Sequence, residues 1–361
     1  MRTAFNRNRS TTFVSECAEM PHIEEICSVV QRNCDISDAA HARDYTMCVY
    51  LLKMREYYRW SKGLGFDSTL PVGDLGHWVE QREQFWDSLE DSEYQCVPLA
   101  GSCVEPFDAQ SINRSLSADG LIYGGGFGRF GKPHFFLARL AESRTQDGVT
   151  IYVAGKEHAR DLSPPPGMSQ APTIIVRLES PRRVLWERVQ EWGWQKNPGP
   201  MAKVVEHYGF ERDPDAALDR MVEAEMETVI LHELGEVAAG KRLGPSWGEL
   251  IAAVSGTRAE MLARAVRDHL ADSLVTLPAL LDRGEPAPLH FDFANLTDLR
   301  RTLAPLLSEA YNTWAGDSRS KALPHLAAAA AEHWEDVARQ MLDGLDSEDV
   351  TSTVESVAEQ A

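Results

Sequence analysis

Residues 224–237 read Ala224-Glu225-Met226-Glu227-Thr228-Val229-Ile230-Leu231-His232-Glu233-Leu234-Gly235-Glu236-Val237. At ~100° per residue, Val222, Met226, Val229, Ile230 and Val237 share one broad apolar face. Such a face needs cover from other elements, so the run predicts a core helix in a predominantly helical body. Glu233 projects within that face. Glu225 and Glu236 lie at one margin, with His232 a little further round. Ionisable groups so placed need partners, because an unpaired buried carboxylate is costly.

A divalent metal ion would resolve the conflict, since imidazole and carboxylates are ligands for zinc, iron or manganese. A second contributor lies in 257–276, where Leu262, Ala265, Val266, Leu270 and Leu277 define a buried face with His269 inside it. Asp272 stands at that margin, and Asp268 falls on its other side. The expected site has Glu233 as general base and His232, Glu236, His269 and Asp272 as metal ligands, with Glu56 as a further contributor. The segment His232-Glu233-Leu234-Gly235-Glu236 resembles the zincin motif H-E-x-x-H, with Glu236 where the second histidine would stand. Peptidase activity is not carried over. The Glu-x-x-His spacing of di-metal helical bundles is absent from it. The competing expectation is a buried polar network, with Glu233 bonded to His269 and Glu236 paired with Arg or Lys.

The remaining helices follow from caps and periodicity. Asp213-Pro214 predicts the start of the long helix, with Asp as N-cap and Pro in its first turn, and Gly240 its stop. Ser246-x-x-Glu249 and Thr257-x-x-Glu260 each fit a capping box. Pro278 is expected to end or kink the second of these helices. Further helices are expected at Glu24–Trp60, His77–Leu89, Arg183–Trp192, Met201–Tyr208, Leu296–Trp314 and Lys321–Leu345. The tail after Asp346 reads as frayed, and residues 1–20 as a loose arm. Glu56 falls in an apolar sector, which predicts an ion pair with Arg59 or Arg82.

Between 97 and 180 the pattern changes. Leu121–Gly126, His134–Leu140, Val149–Ala154 and Thr173–Leu178 read as strands bounded by Gln146-Asp-Gly148 and Ser163-Pro-Pro-Pro-Gly167. The expected fold is α+β: a helical body with an inserted small antiparallel β-sheet. The expected divisions are 1–95 (helical), 96–180 (β-rich) and 181–361 (helical). Gly124-Gly-Gly126-Phe-Gly128-Arg129-Phe130-Gly131-Lys132 resembles the phosphate-covering loop of protein kinases, yet no H-R-D catalytic loop follows. Pro133 excludes a helix directly after it, and with that a Rossmann use. It reads as a tightly packed hairpin, with Arg129 and Lys132 offered to a protein or anionic partner.

Of 361 residues, 43% are hydrophobic and 25% charged, as in ordinary globular proteins, and the length suits two to three domains of ~150 residues. A net charge of -19 argues against nucleic acid as a partner, since phosphate neutralisation needs Lys and Arg. No run reaches the ~18 apolar residues of a membrane span, and the first fifteen residues have no apolar signal core. The six cysteines contain no C-x-x-C pair and are expected to be reduced thiols in a cytoplasmic protein. Two functions fit: a metal-dependent enzyme, hydrolytic or redox, and a non-enzymatic interaction or structural protein.

Overall fold

The computed structural model describes residues 21–65, 68–99, 101–128, 131–170, 173–195 and 198–361. The N-terminal arm and Arg129 lie outside them. The chain divides into two compact units: the first holds residues 1–126, 134–138 and 158–163, and the second holds the rest.

In the first unit, helices α1 (Pro21–His41), α2 (Met47–Lys62) and α3 (Val72–Asp87) precede a short ladder of β1 (Val97–Leu99) and β2 (Ser102–Val104), then α4 (Ala109–Leu116) and β3 (Leu121–Phe127). Helix α1 buries polar as well as apolar groups because its amides and carboxylates serve other segments. Asn33 exchanges two 2.7 Å bonds with the Gln95 backbone, and Asp38 accepts from the Leu162 amide at 2.7 Å. Buried Glu56 meets Arg55 at 3.0 Å and Arg59 at 3.4 Å, whereas Arg82 goes to Asp35. Arg59 is therefore the expected partner that forms, and Glu56 is neutralised within this unit. Val97 pairs with Val104 across the ladder, which brings Cys96 and Cys103 to a Cα separation of 5.4 Å, and the two are joined as a disulfide. The reading of all six cysteines as reduced thiols is corrected here. A seven-residue spacing hides a pair that only the hairpin brings together.

The glycine-rich stretch is close packing. A Cβ on Gly124 would lie 2.1 Å from the Phe136 ring, and one on Gly125 would lie 2.3 Å from the Pro106 carbonyl. Lys132 is buried rather than presented at a tip.

Strands β4 (Pro133–Gln146), β5 (Val149–Arg160), β6 (Gly167–Gln170) and β7 (Thr173–Arg177) complete a five-stranded sheet of order β3-β4-β5-β7-β6. Asp147 and Gly148, both with left-handed φ (49° and 76°), make the turn between β4 and β5. The fold class is α+β with a helical majority, as expected. The larger sheet is mixed rather than antiparallel, because β7 runs parallel to β5 and antiparallel to β6. The chain reaches β6 first, at the sheet edge, and turns back to lay β7 between β6 and β5. The prolines 164–166 form the connector into β6.

Helices α5 (Glu179–Gln195), α6 (Pro200–Tyr208), α7 (Pro214–Leu243), α8 (Ser246–Ala253) and α9 (Arg258–Ala271) follow, then α10 (Leu277–Arg283), α11 (Pro286–Asn295), α12 (Asp298–Leu303), α13 (Pro305–Gly316), α14 (Ala322–Asp343) and α15 (Val350–Glu359). Asp213 caps α7 by accepting from the Ala216 amide at 3.1 Å, and Thr257 caps α9 through the Glu260 amide. Helix α7 runs past Gly240 and stops at Gly244, whose φ of 77° ends the turn. Ser246 is the first helical residue of α8 and makes no cap bond. The tail after Asp346 is ordered as α15, capped by Asp349 and anchored by buried Val354 and Ala358. One hydrophobic core joins α7–α15, and a smaller one sets Ile230, Leu234 and Val237 of α7 against Val149, Ile151, Ile174 and Val176 of the sheet. Among the described residues no helix is long and apolar enough to cross a membrane.

Candidate metal centre

Helices α7 and α9 meet at Gly235. A Cβ there would lie 2.4 Å from the Ala271 carbonyl oxygen, so only a bare backbone lets the two helices approach this closely. From Asp272 to Thr276 the α9 axis continues as a π-turn, with the Leu277 amide donating to the Asp272 carbonyl five residues back. Pro278, which has no N–H to give, follows directly. Single π-turns in helices recur at functional sites. On the α7 side, Asp268 and Asp272 are one turn apart, as are His232 and Glu236. These two pairs are brought together.

His232 Nδ1 lies 2.7 Å from Asp272 Oδ1. Burial opposes the charge on Asp272, but the Arg300 guanidinium and His232 outweigh it and hold the carboxyl well below its usual range. The carboxylate therefore accepts from Nδ1–H, and His232 Nε2 turns toward Glu236 Oε1 at 3.8 Å. Burial also opposes the imidazolium, yet Asp272, Glu236 and Asp268 carry His232 up to about 10. Glu236 accepts from Ser169 Oγ at 2.7 Å and from Arg267 at 2.6 Å, and Arg267 stands 3.6 Å from Asp268. One ligand atom each from His232, Glu236 and Asp268 lies within 4.8 Å of the others.

Glu233 is 7% exposed, and its buried Oε2 has no hydrogen-bond partner among the described residues. Burial and the neighbouring Glu236 charge push it up to about 8, against the pull of His232 and Arg267. Strand β6 passes over this carboxyl at Gly167, where a Cβ would lie 2.4 Å from Glu233 Oε1.

Of the expected residues, His232, Glu233, Glu236 and Asp272 come together and His269 does not. His269 Nε2 donates to the Arg300 carbonyl at 3.0 Å, and its ring stacks on Trp334 with centroids 4.5 Å apart. Burial and Arg300 depress it to about 4, so it is a neutral core residue on the far side of α9. Asp272 acts behind His232 rather than beside Glu236, and it also takes Arg300 and Thr276 Oγ1. Glu56 belongs to the other unit and its own arginines. Arg267 is the basic partner that the network expectation gave Glu236, Asp268 had been placed away from the site, and Arg300 and Ser169 were missed. Two acids at i and i+4 in 268–272 mirror the spacing of His232 and Glu236, and that repeat was visible in the sequence. The contributions of Ser169 and Arg300 depend on tertiary packing alone.

About two turns before the centre, Glu225 accepts from Tyr208 at 2.6 Å and from Thr228 at 2.9 Å. Burial raises it to about 7, only partly opposed by those bonds. The folded protein then holds this proton more tightly than the unfolded chain does. This contribution is complete below the ordinary carboxylate pKa and is lost as pH rises toward 7. The loss amounts to about 3 kcal/mol. Glu225→Gln should therefore be more stable than the parent at pH 8 and match it near pH 4. Urea unfolding at both pH values measures this; equal stabilities at pH 8 would contradict it.

Residues 25–177 match the N-terminal domain model of a family of unknown function (DUF6866), and residues 182–361 match its C-terminal domain model. No curated protein and no solved structure matches the chain. With both of its domains present in order, the chain belongs to the DUF6866 family.

Proposed function

We propose that this protein is a metal-dependent hydrolase whose ion is held by His232 Nε2, Glu236 and Asp268, with Glu233 as general base. The observation that carries the reading is Glu233, a buried carboxyl with an unpartnered oxygen, set beside three converging ligand atoms. One imidazole and two carboxylates suit zinc, iron or manganese. Such an ion supplies Lewis acidity and makes a water nucleophilic near neutral pH. The chain supplies the rest. Asp272 keeps the proton on His232 Nδ1 from behind, as carboxylate partners of ligating histidines do, and Nε2 would give up its proton when the ion binds. Ser169 holds one oxygen of Glu236. Glu233 takes a proton from the attacking water and returns it to the leaving group.

Elemental analysis of untagged protein, with manganese or zinc titrated into chelator-treated protein, tests the ligand set. About one equivalent should bind, and His232→Ala or Asp268→Ala should abolish it. Glu233→Gln should keep the ion and lose turnover. Uptake below ~0.2 equivalents after reconstitution would sink the reading.

A second reading has a specific observation behind it: Arg267 and Arg300 already face Glu236 and Asp272. On that reading the same groups form a closed ion network in a non-enzymatic protein, and the titration shows no uptake.

A further inference from the structure

We propose that the substrate of this centre is a phosphate ester and that Arg267 binds its phosphoryl oxygens. The inference rests on the metal reading above and names what that centre acts on.

Arg267 makes its contacts through one nitrogen, 2.6 Å from Glu236 Oε1 and 3.6 Å from Asp268 Oδ1. Its Nε is buried and has no hydrogen-bond partner among the described residues. The two carboxylates it faces are also two of the three groups that converge on the cation position. A dication held there takes over their charge, and Arg267 is left beside it with its counter-ions spent. Two adjacent cations repel unless an anion joins them. Arg300 cannot play this part, being committed to Asp272 and to the ring of His269.

The Nε–H and Nη–H edge of a guanidinium matches two oxygens of one phosphoryl group. A metal and an arginine acting on one phosphoryl group stabilise the charge that builds on it during transfer. A carboxylic ester places only one developing oxyanion at such a centre and would leave half of this edge empty. The whole chain carries a charge of -19, so attraction for an anion has to come from this local arrangement.

In the reaction, a bond forms between the water oxygen and phosphorus, and the bond between phosphorus and the ester oxygen breaks. Glu233 takes one water proton and passes it to the departing oxygen, which leaves as a hydroxyl. The second proton stays on the phosphate product, so no oxidant or other co-reactant is required.

The test uses the full chain loaded with manganese. Inorganic phosphate, titrated calorimetrically, should bind the loaded protein and not the chelator-treated protein. Arg267→Gln should weaken phosphate by about tenfold or more. Its metal affinity should be retained or tightened, because a neighbouring positive charge has gone. Arg267→Lys should recover part of the phosphate affinity and guards against a folding defect in the glutamine variant. Hydrolysis of 4-nitrophenyl phosphate should exceed that of 4-nitrophenyl acetate. Metal uptake with no phosphate binding, equal phosphate affinity in parent and Arg267→Gln, or faster cleavage of the acetate would each overturn the proposal and leave the metal centre standing. Absence of metal uptake overturns both.

Discussion

Replacing Gly235 with alanine should cost about 3 kcal/mol, although the same change at Gly240, one and a half turns along the same helix, should stabilise the protein by up to ~1 kcal/mol. Alanine is the better helix former, so propensity alone favours both variants. At Gly240 no atom of the described residues lies within 4 Å of the added methyl group, and propensity decides. At Gly235 the new Cβ would sit 2.4 Å from a backbone oxygen and 2.8 Å from its carbon, neither of which can rotate away. The helices must separate, and overpacking of this kind outweighs propensity. Urea denaturation of the two variants checks the opposite signs. Stabilisation by both would mean that α7 and α9 do not meet at Gly235. The same separation would draw Asp268 away from His232 and Glu236, so metal affinity should fall in Gly235→Ala and hold in Gly240→Ala.

Asp272→Ala should be the most damaging single change at the centre, at roughly 3–5 kcal/mol. Asp272 is 3% exposed and receives Arg300, His232 and Thr276 together. Its removal leaves a buried guanidinium without its carboxylate, and the desolvation of that charge is no longer offset. Removing the arginine as well should recover much of the loss, so Asp272→Leu with Arg300→Met should be more stable than Asp272→Ala alone. Thermal unfolding of the three proteins measures this. An Asp272→Ala protein within ~1 kcal/mol of the parent would show that the Arg300 charge finds water or another partner. In Asp272→Asn, where shape is kept, metal affinity should fall by about 10–100-fold, the usual cost of losing the partner behind a ligating histidine.

What the sequence revealed and what it hid separate along physical lines. Local signals carried the helices well: the Asp213-Pro214 start, the Thr257 cap and the Asp147-Gly148 turn all form where side-chain chemistry places them. Tertiary effects decided the rest. Gly240 stops nothing because its helix continues to be covered by the core, and the tail helix α15 is held by burial of Val354 and Ala358. The parallel pairing of β5 with β7 depends on where β6 is laid down, which no strand pattern encodes. At the centre, α7 packs on the helical core through Leu231, Ala239 and Leu243 and on the sheet through Ile230, Leu234 and Val237, so no single apolar stripe fixes its orientation. Helix α9 is covered on more than one side, so a wheel could not say which neighbour each buried face meets. His269 turned out to face Trp334, while Asp268, one position earlier, faces the site.

The π-turn from Asp272 to Thr276 adds one residue to the count between α9 and α10. Its consequence lies in phase. A continuous α-helix would advance about 100° per residue, and removing the surplus residue would rotate everything beyond it by that angle. Leu277 and Leu280 would then leave the core, or Asp268 and Asp272 would leave His232. An irregularity that a designer would smooth away is what allows one rod of chain to satisfy an ionic neighbour at one end and an apolar one at the other.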